Sequence, residues 1–118
     1  MIAFTIIGEP ASKANSRRLV TNKKTGKKWP IKSAKALAYV DAVQKQAPRS
    51  WPLLTGPLVA HITIWYATEK PDLDESIILD ALQGIIYKND RQIHEKHIYH
   101  GLDRENPRAD VRIEAKGI

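Results

Sequence analysis

Residues 58–67 alternate side chains regularly enough to constrain the fold more than any other segment. Successive side chains of a strand point to opposite faces, so Leu58, Ala60, Ile62 and Ile64 share one side and Val59, His61, Thr63 and Trp65 the other. Both sides read as largely covered, the pattern of a central strand. Such a strand requires neighbours in a sheet and a layer of helices against it.

The flanking segments supply both. Ile2–Ile7 is a β-branched run stopped by Gly8, with Pro10 close behind, and predicts a first strand. Residues 8–30 read as loop, with the turn chemistry of residues 21–26 fitting the tip of a short hairpin. Ser33 is placed to cap a helix from Ala34 to about Ala47, with Ala36, Val40, Val43 and Ala47 on one face and Pro48 ending it. Residues 48–57 form a connector. Asp74 would cap a second helix starting at Glu75, with Ile77, Ile78, Ala81 and Leu82 as its buried stripe and Gly84 as its stop. After a turn at Asn89-Asp90, residues 92–99 and 109–115 read as strands joined by a polar loop. The expected architecture is α+β: one domain over residues 1–118, a mixed sheet carrying two helices, in the order β-α-β-α-β-β.

A chain of 118 residues buries a modest core and is expected to lean on a partner subunit. It has no cysteine, which excludes disulfide scaffolds, thiolate zinc sites and thiol nucleophiles, and makes a reducing cytoplasm the expected compartment. Its longest apolar runs are far too short to cross a bilayer. The apolar start is interrupted by Glu9 and preceded by no basic residue, so no signal peptide is expected and the chain reads as beginning with mature protein.

Charge is distributed unevenly. Positions 1–35 hold nine Lys or Arg against the single acid Glu9, whereas the other 83 residues hold ten basic and 12 acidic groups. A basic arm at about residues 9–35, carrying Lys13, Arg17, Arg18, Lys23, Lys24, Lys27, Lys28 and Lys32, on a mildly acidic body is the footprint of a polyanion binder, and nucleic acid is the leading partner. A solvated loop whose lysines only aid solubility is the competing account, and charge alone does not choose between them.

The acids add a second constraint. Pro71 extends the chain so that Asp72 and Asp74 can point to one side, and two crowded carboxylates call for a cation between them, for which hard oxygen ligands select Mg²⁺ or Mn²⁺. Asp90 is the candidate third ligand. A helix running unbroken to Tyr87 would leave Asp90 at the wrong end. If Gly84 stops that helix, the following six residues are long enough to return; otherwise the site is completed across a dimer. An Asp-x-Asp pair before a helix also serves as ordinary cap and first-turn acids. Beside a basic arm, however, clustered carboxylates match a metal-dependent nuclease, in which lysines hold phosphates while a metal activates water.

At this level the sequence resembles the RusA family of Holliday-junction resolvases. The resemblance rests on Ile6-Ile7-Gly8-Glu9-Pro10 with Lys13 and Arg17, Pro71-Asp72-Leu73-Asp74, Leu79-Asp80-Ala81-Leu82, the run from Gly84 to Ile93 through Tyr87-Lys88-Asn89-Asp90, and the run from Asn106 to Ile113. It implies a metal-dependent homodimeric endodeoxyribonuclease that nicks two strands of a four-way junction, with Asp72, Asp74 and Asp90 as metal ligands. Two copies of a site suit paired cuts in a two-fold junction. The chain departs from the family pattern in having Glu75 where an Asn is usual, a shorter interval from Asp74 to Asp80, no lysine between Glu75 and Tyr87, and Asn89 where many relatives have an aspartate. Lys70 or Lys88 could supply the missing cation. The absent lysine also motivates an alternative, a non-catalytic branched-DNA-binding protein derived from such a nuclease.

The remaining polar and aromatic residues weigh toward packing. His94, His97 and His100 fall on both sides of a strand and cannot converge on zinc. His61 reads as a hydrogen-bonded core histidine rather than an active-site group. Asp80 reads equally as a partner of a basic group or an exposed acid, and Glu75 as a fourth ligand or a first-turn acid. Trp51 and Trp65 are expected in the core or a dimer interface, with Trp29 the better candidate for stacking on bases.

Overall fold

In the computed structural model, residues 1–8, 17–67 and 75–117 are described. The sheet grows around the strand that the alternation singles out. Strand β4 (Leu58–Tyr66) lies between β5 (Ile93–Leu102), which it pairs in parallel, and β6 (Arg108–Ala115), which it pairs antiparallel; β1 (Ile2–Ile7) closes the far edge antiparallel to β6. The four-stranded order is β1-β6-β4-β5. Helices α1 (Ala34–Gln46) and α2 (Glu75–Ala81) occur where expected. The order β-α-β-α-β-β is kept, with one addition. Residues 17–32 form a separate two-stranded hairpin, β2 (Arg17–Thr21) with β3 (Lys28–Lys32), whose tip lies where the turn chemistry of residues 21–26 puts it and whose strands replace the loop expected on either side.

That hairpin is closed by local polar bonds. Asn22 N–H donates to the Lys27 carbonyl at 2.8 Å, Gly26 N–H returns to the Asn22 carbonyl at 2.8 Å, and the Asn22 side chain accepts from Lys24 N–H at 2.9 Å. Gly26 sits at φ 70°, a left-handed position that glycine tolerates. The flanking strands escape the pattern reading because Arg17-Arg18-Leu19-Val20-Thr21 and Lys28-Trp29-Pro30-Ile31-Lys32 show no alternation of period two.

One face of the sheet is dry. Leu58, Ala60, Ile62, Ile64 and Tyr66 of β4 are buried in a single cluster with Ile6, Ile113, Ala36, Tyr39 and Val43 of α1, and Ile77, Ile78 and Leu82 around α2. Ser33 caps α1, its hydroxyl accepting from Ala36 N–H at 3.2 Å. Tyr39 joins Ala36 and Val43 in the buried stripe while Val40 packs on it half-buried, and the burial of Tyr39 raises its phenol pKa by disfavouring the phenolate. No helix among the described residues is long and apolar enough to cross a membrane.

Among the described residues no helix lies on the other face of the sheet, yet β4 is largely covered there as expected, Val59 being buried and His61, Thr63 and Trp65 half-buried. His61 lies there, half-buried, rather than in the core: its Nε2 is 2.9 Å from Glu114 Oε1, and its ring stacks on His97 at 4.8 Å between centroids. Trp65 is held by packing. Its indole N–H donates to Asp110 at 2.9 Å, the Arg108 guanidinium lies 4.7 Å over the ring, and Gly101 leaves room for it, since a Cβ there would meet the indole at 2.4 Å. Trp51, by contrast, is 91% exposed and outside the core. His100 meets Tyr66 edge-on while His97 meets His61, so these histidines diverge as the strand period requires.

Two expectations follow. Ile62→Ala, fully buried at the centre of the dry face, should cost about 2–5 kcal/mol in denaturant unfolding, against less than about 1 kcal/mol for exposed Leu37→Ala. Asp103 is held below the ordinary aspartate range, first by the Arg108 guanidinium, which donates to it at 2.8 Å, and then by the N–H groups of Asn106 and Glu105. A carboxylate depressed in this way stabilises the fold above the ordinary aspartate pKa and loses that contribution as pH falls through its lowered folded value. Unfolding scans at about pH 2 to 5 should therefore show wild type losing stability relative to Asp103→Asn as the pH drops.

Candidate active site

Helix α2 ends in a reversal that sequence chemistry dictates. Gly84 takes φ 82°, and its N–H donates to the Tyr87 carbonyl at 2.7 Å, so the chain doubles back at once. Ile85, Ile86 and Tyr87 are then buried, and the connector before β4 laces onto them: Ser50 N–H donates to the Ile85 carbonyl and Leu54 N–H to that of Ile86, both at 2.8 Å. The Tyr87 hydroxyl donates to the Leu79 carbonyl, tying the returning strand of chain to the helix it left.

The reversal delivers Asp90 onto a capped 3₁₀ turn (Asp90–Gln92). Every N–H from Lys88 to Gln92 has a partner. Gln92 Oε1 accepts from Lys88 and Asn89 at 3.1 Å each, Asn89 Oδ1 accepts from Arg91 at 2.9 Å, and the Asn89 carbonyl accepts from Gln92 at 3.0 Å. Asp90 N–H donates to Gln83 Oε1 at 3.0 Å. Gln92 Nε2 anchors the turn in addition to the Leu54 carbonyl at 3.0 Å. Asn89 is the cap of this turn. Asparagine and aspartate cap equally well, which gives the departure at this position a benign local reason.

Asp80, half-buried in the last turn of α2, belongs to the same cluster: Gln83 Nε2 donates to its Oδ1 at 2.8 Å and to its carbonyl at 3.3 Å. Its role as a merely exposed acid is thereby corrected. The phenol of Tyr87 registers both carboxylates, its pKa being raised first by burial and then by the negative charges of Asp90 and Asp80. Asp90 thus sits at the C-terminal end of α2, a helix about 10 Å long, while Asp74 precedes its first residue in the chain.

Of the sequence-predicted site residues, Asp90 and exposed Lys88 lie on this turn. Asp72, Asp74 and Lys70 lie outside the described residues, as does Lys13. Glu75 opens α2, half-buried, and Lys23, Lys24, Lys27 and Lys28 are exposed around the hairpin tip. Arg17, Arg18 and Lys32 lie on the hairpin strands, with Arg17 opposite Lys32 in the register. Trp29 sits on β3, opposite Val20.

The acids on either side of Gln83 offer carboxylate oxygens, the donor type that suits Mg²⁺ or Mn²⁺ rather than zinc. Among the described residues no three metal-ligating side chains come together, so Asp80 and Asp90 would need further ligands from elsewhere. A cavity of about 680 Å³ lies on the helix-free face instead, lined by Thr5, His61, Thr63, Tyr99, Asp110 and Arg112. It is across the sheet from α2, and its Asp110 is engaged by the Thr5 hydroxyl at 2.8 Å and by Trp65.

Sequence reasoning missed Gln83 and the paired roles of Asn89 and Gln92. The second was within reach, because Asn-x-x-Gln is a capping-box spacing. In comparisons with known proteins, the family described as Endodeoxyribonuclease RusA matches residues 8–114. No curated protein matches the chain.

Proposed function

Because the chain belongs to the RusA family of endodeoxyribonucleases, matched over nearly its whole length, we propose that it is a divalent-metal-dependent resolvase, cutting four-way DNA junctions by paired symmetric nicks. The observation that most supports this reading is the fully hydrogen-bonded turn that carries Asp90 beside α2, a fixed backbone from which a carboxylate of the kind metal-assisted phosphodiester hydrolysis requires projects.

In this reading Asp72, Asp74 and Asp90 hold Mg²⁺ or Mn²⁺, which when bound lowers the pKa of the attacking water and offsets charge on the phosphoryl group. The chain's own residues do the rest. The exposed lysines of the hairpin tip, with Lys13, Arg17, Arg18 and Lys32, neutralise phosphates and release counterions. Lys88, exposed two residues before Asp90, or Lys70, supplies the cation that α2 lacks. Two copies act together, and the helix-free sheet face is suited to join them: Arg108, Asp110, Arg112 and Glu114 alternate in sign along β6, a pattern that complements its own two-fold copy.

The absence of any basic residue on α2 favours a second reading, binding of branched DNA without cleavage. The two part on Asp90→Asn. A resolvase loses at least about 100-fold in junction cleavage on this substitution and keeps its junction affinity in EDTA; cleavage that persists refutes the ligand assignment. For the arm, replacing exposed Lys23 or Lys24 by Ala should weaken binding to all DNA sequences alike and lower the slope of log K against log salt by about 1 per lysine. An unchanged slope in filter-binding or anisotropy titrations would exclude the hairpin tip from the interface.

A further inference from the structure

We propose that Gln83 is a positioning residue for Asp90, its side-chain amide fixing how far from α2 the Asp90 carboxylate stands and so setting the affinity of the cation it ligates. The inference rests on the reading of Asp90 as a metal ligand.

The geometry separates Gln83 from the groups that merely build the turn. Asn89 and Gln92 account for four of the five N–H groups from Lys88 to Gln92, so the 3₁₀ turn is closed without Gln83. Gln83 takes the fifth, that of Asp90 itself, at 3.0 Å. Its other end donates to Asp80 Oδ1 at 2.8 Å and to the Asp80 carbonyl at 3.3 Å. The amide is therefore a strut between the last turn of α2 and the backbone of Asp90.

Only a side chain with an acceptor and a donor at this reach can do this. Glutamate would accept from Asp90 N–H but could not donate to the Asp80 carboxylate, and would place a like charge beside it. Asparagine has the chemistry and is one methylene shorter, about 1.5 Å, so it cannot span both partners. Methionine matches the length and makes neither bond. Gln83 itself is anchored one residue before Gly84, where the chain leaves the helix, and this keeps the strut short. Gln83 acts one step further back, on the backbone from which the Asp90 carboxylate projects, and groups that fix the position of a metal ligand typically govern metal affinity by about 10- to 100-fold.

The test is Mn²⁺ binding to the full-length protein by calorimetry, free of DNA, on wild type, Gln83→Met, Gln83→Asn and Asp90→Asn, with thermal melting and junction affinity in EDTA measured in parallel. Gln83→Met should weaken Mn²⁺ binding about 10-fold or more, and raise by a similar factor the Mn²⁺ concentration that half-activates cleavage, at unchanged EDTA junction affinity. Gln83→Asn should fall short of wild type in the same direction, and it carries the comparison if Gln83→Met fails to fold. Wild-type Mn²⁺ affinity in a folded Gln83 variant overturns the proposal. If Asp90→Asn itself binds Mn²⁺ as wild type does, the ligand reading falls; if Asp90→Asn loses Mn²⁺ while Gln83→Met does not, only the strut falls.

Discussion

The left-handed turn at Gly84 is the constraint on which the rest of the site depends. A residue with a Cβ would be strained at φ 82°, and a helix that ran on would carry Tyr87 and Asp90 away from α2. Because the chain reverses there, Tyr87 can bury its ring and give its hydroxyl to the carbonyl of Leu79, eight residues back. The reversal alone would leave a loose loop. What makes it a rigid presenting element is the second set of bonds, from Ser50 and Leu54 on one side and from Asn89, Gln92 and Gln83 on the other.

The molecule divides its labour between the two faces of one sheet. The dry face carries both helices and, through α2, the carboxylate cluster. The helix-free face carries a neutral mosaic of paired charges: Glu114 is drawn below the usual carboxylate range first by its bond to His61, and Arg108 is shared among Asp103, Asp110 and the ring of Trp65. A face so balanced is poorly suited to polyanions, which places the electrostatic burden of DNA binding on the hairpin, where basic residues have almost no acidic neighbours in sequence. The proposed function thus draws on two structurally separate devices.

Much of the fold was legible because burial leaves a periodic trace. The alternation in β4, the Ser33 cap and the Gly84 stop each have a single local cause, and each is found where that cause puts it. The hairpin strands were not legible, since their residues lack a core-facing alternation and their pairing follows from a turn. His61 was misjudged because a strand facing solvent and one facing a core share the same period; only the placement of the helices distinguishes them. At the site, Gly84 was legible as the stop of α2, but the return it permits is not the one expected: Gln83 holds Asp90 at the C-terminal end of the helix, not back at the end that Asp74 precedes. The stretch that carries Asp72 and Asp74 lies outside the described residues, and Gln83 stayed hidden because a bridge between two acids ten residues apart is a property of the reversal rather than of any motif.

The proposed function is that this chain cuts branched DNA through a metal held by Asp72, Asp74 and Asp90. The most direct measurement is to incubate wild-type protein with a labelled four-way junction and a matched linear duplex, in EDTA, Mg²⁺ or Mn²⁺, and to map the nicks on each strand. Paired, symmetric, metal-dependent nicks on the junction alone are the predicted result. Tight junction binding with no nick under either metal would contradict it and leave a protein that recognises branched DNA without cutting it.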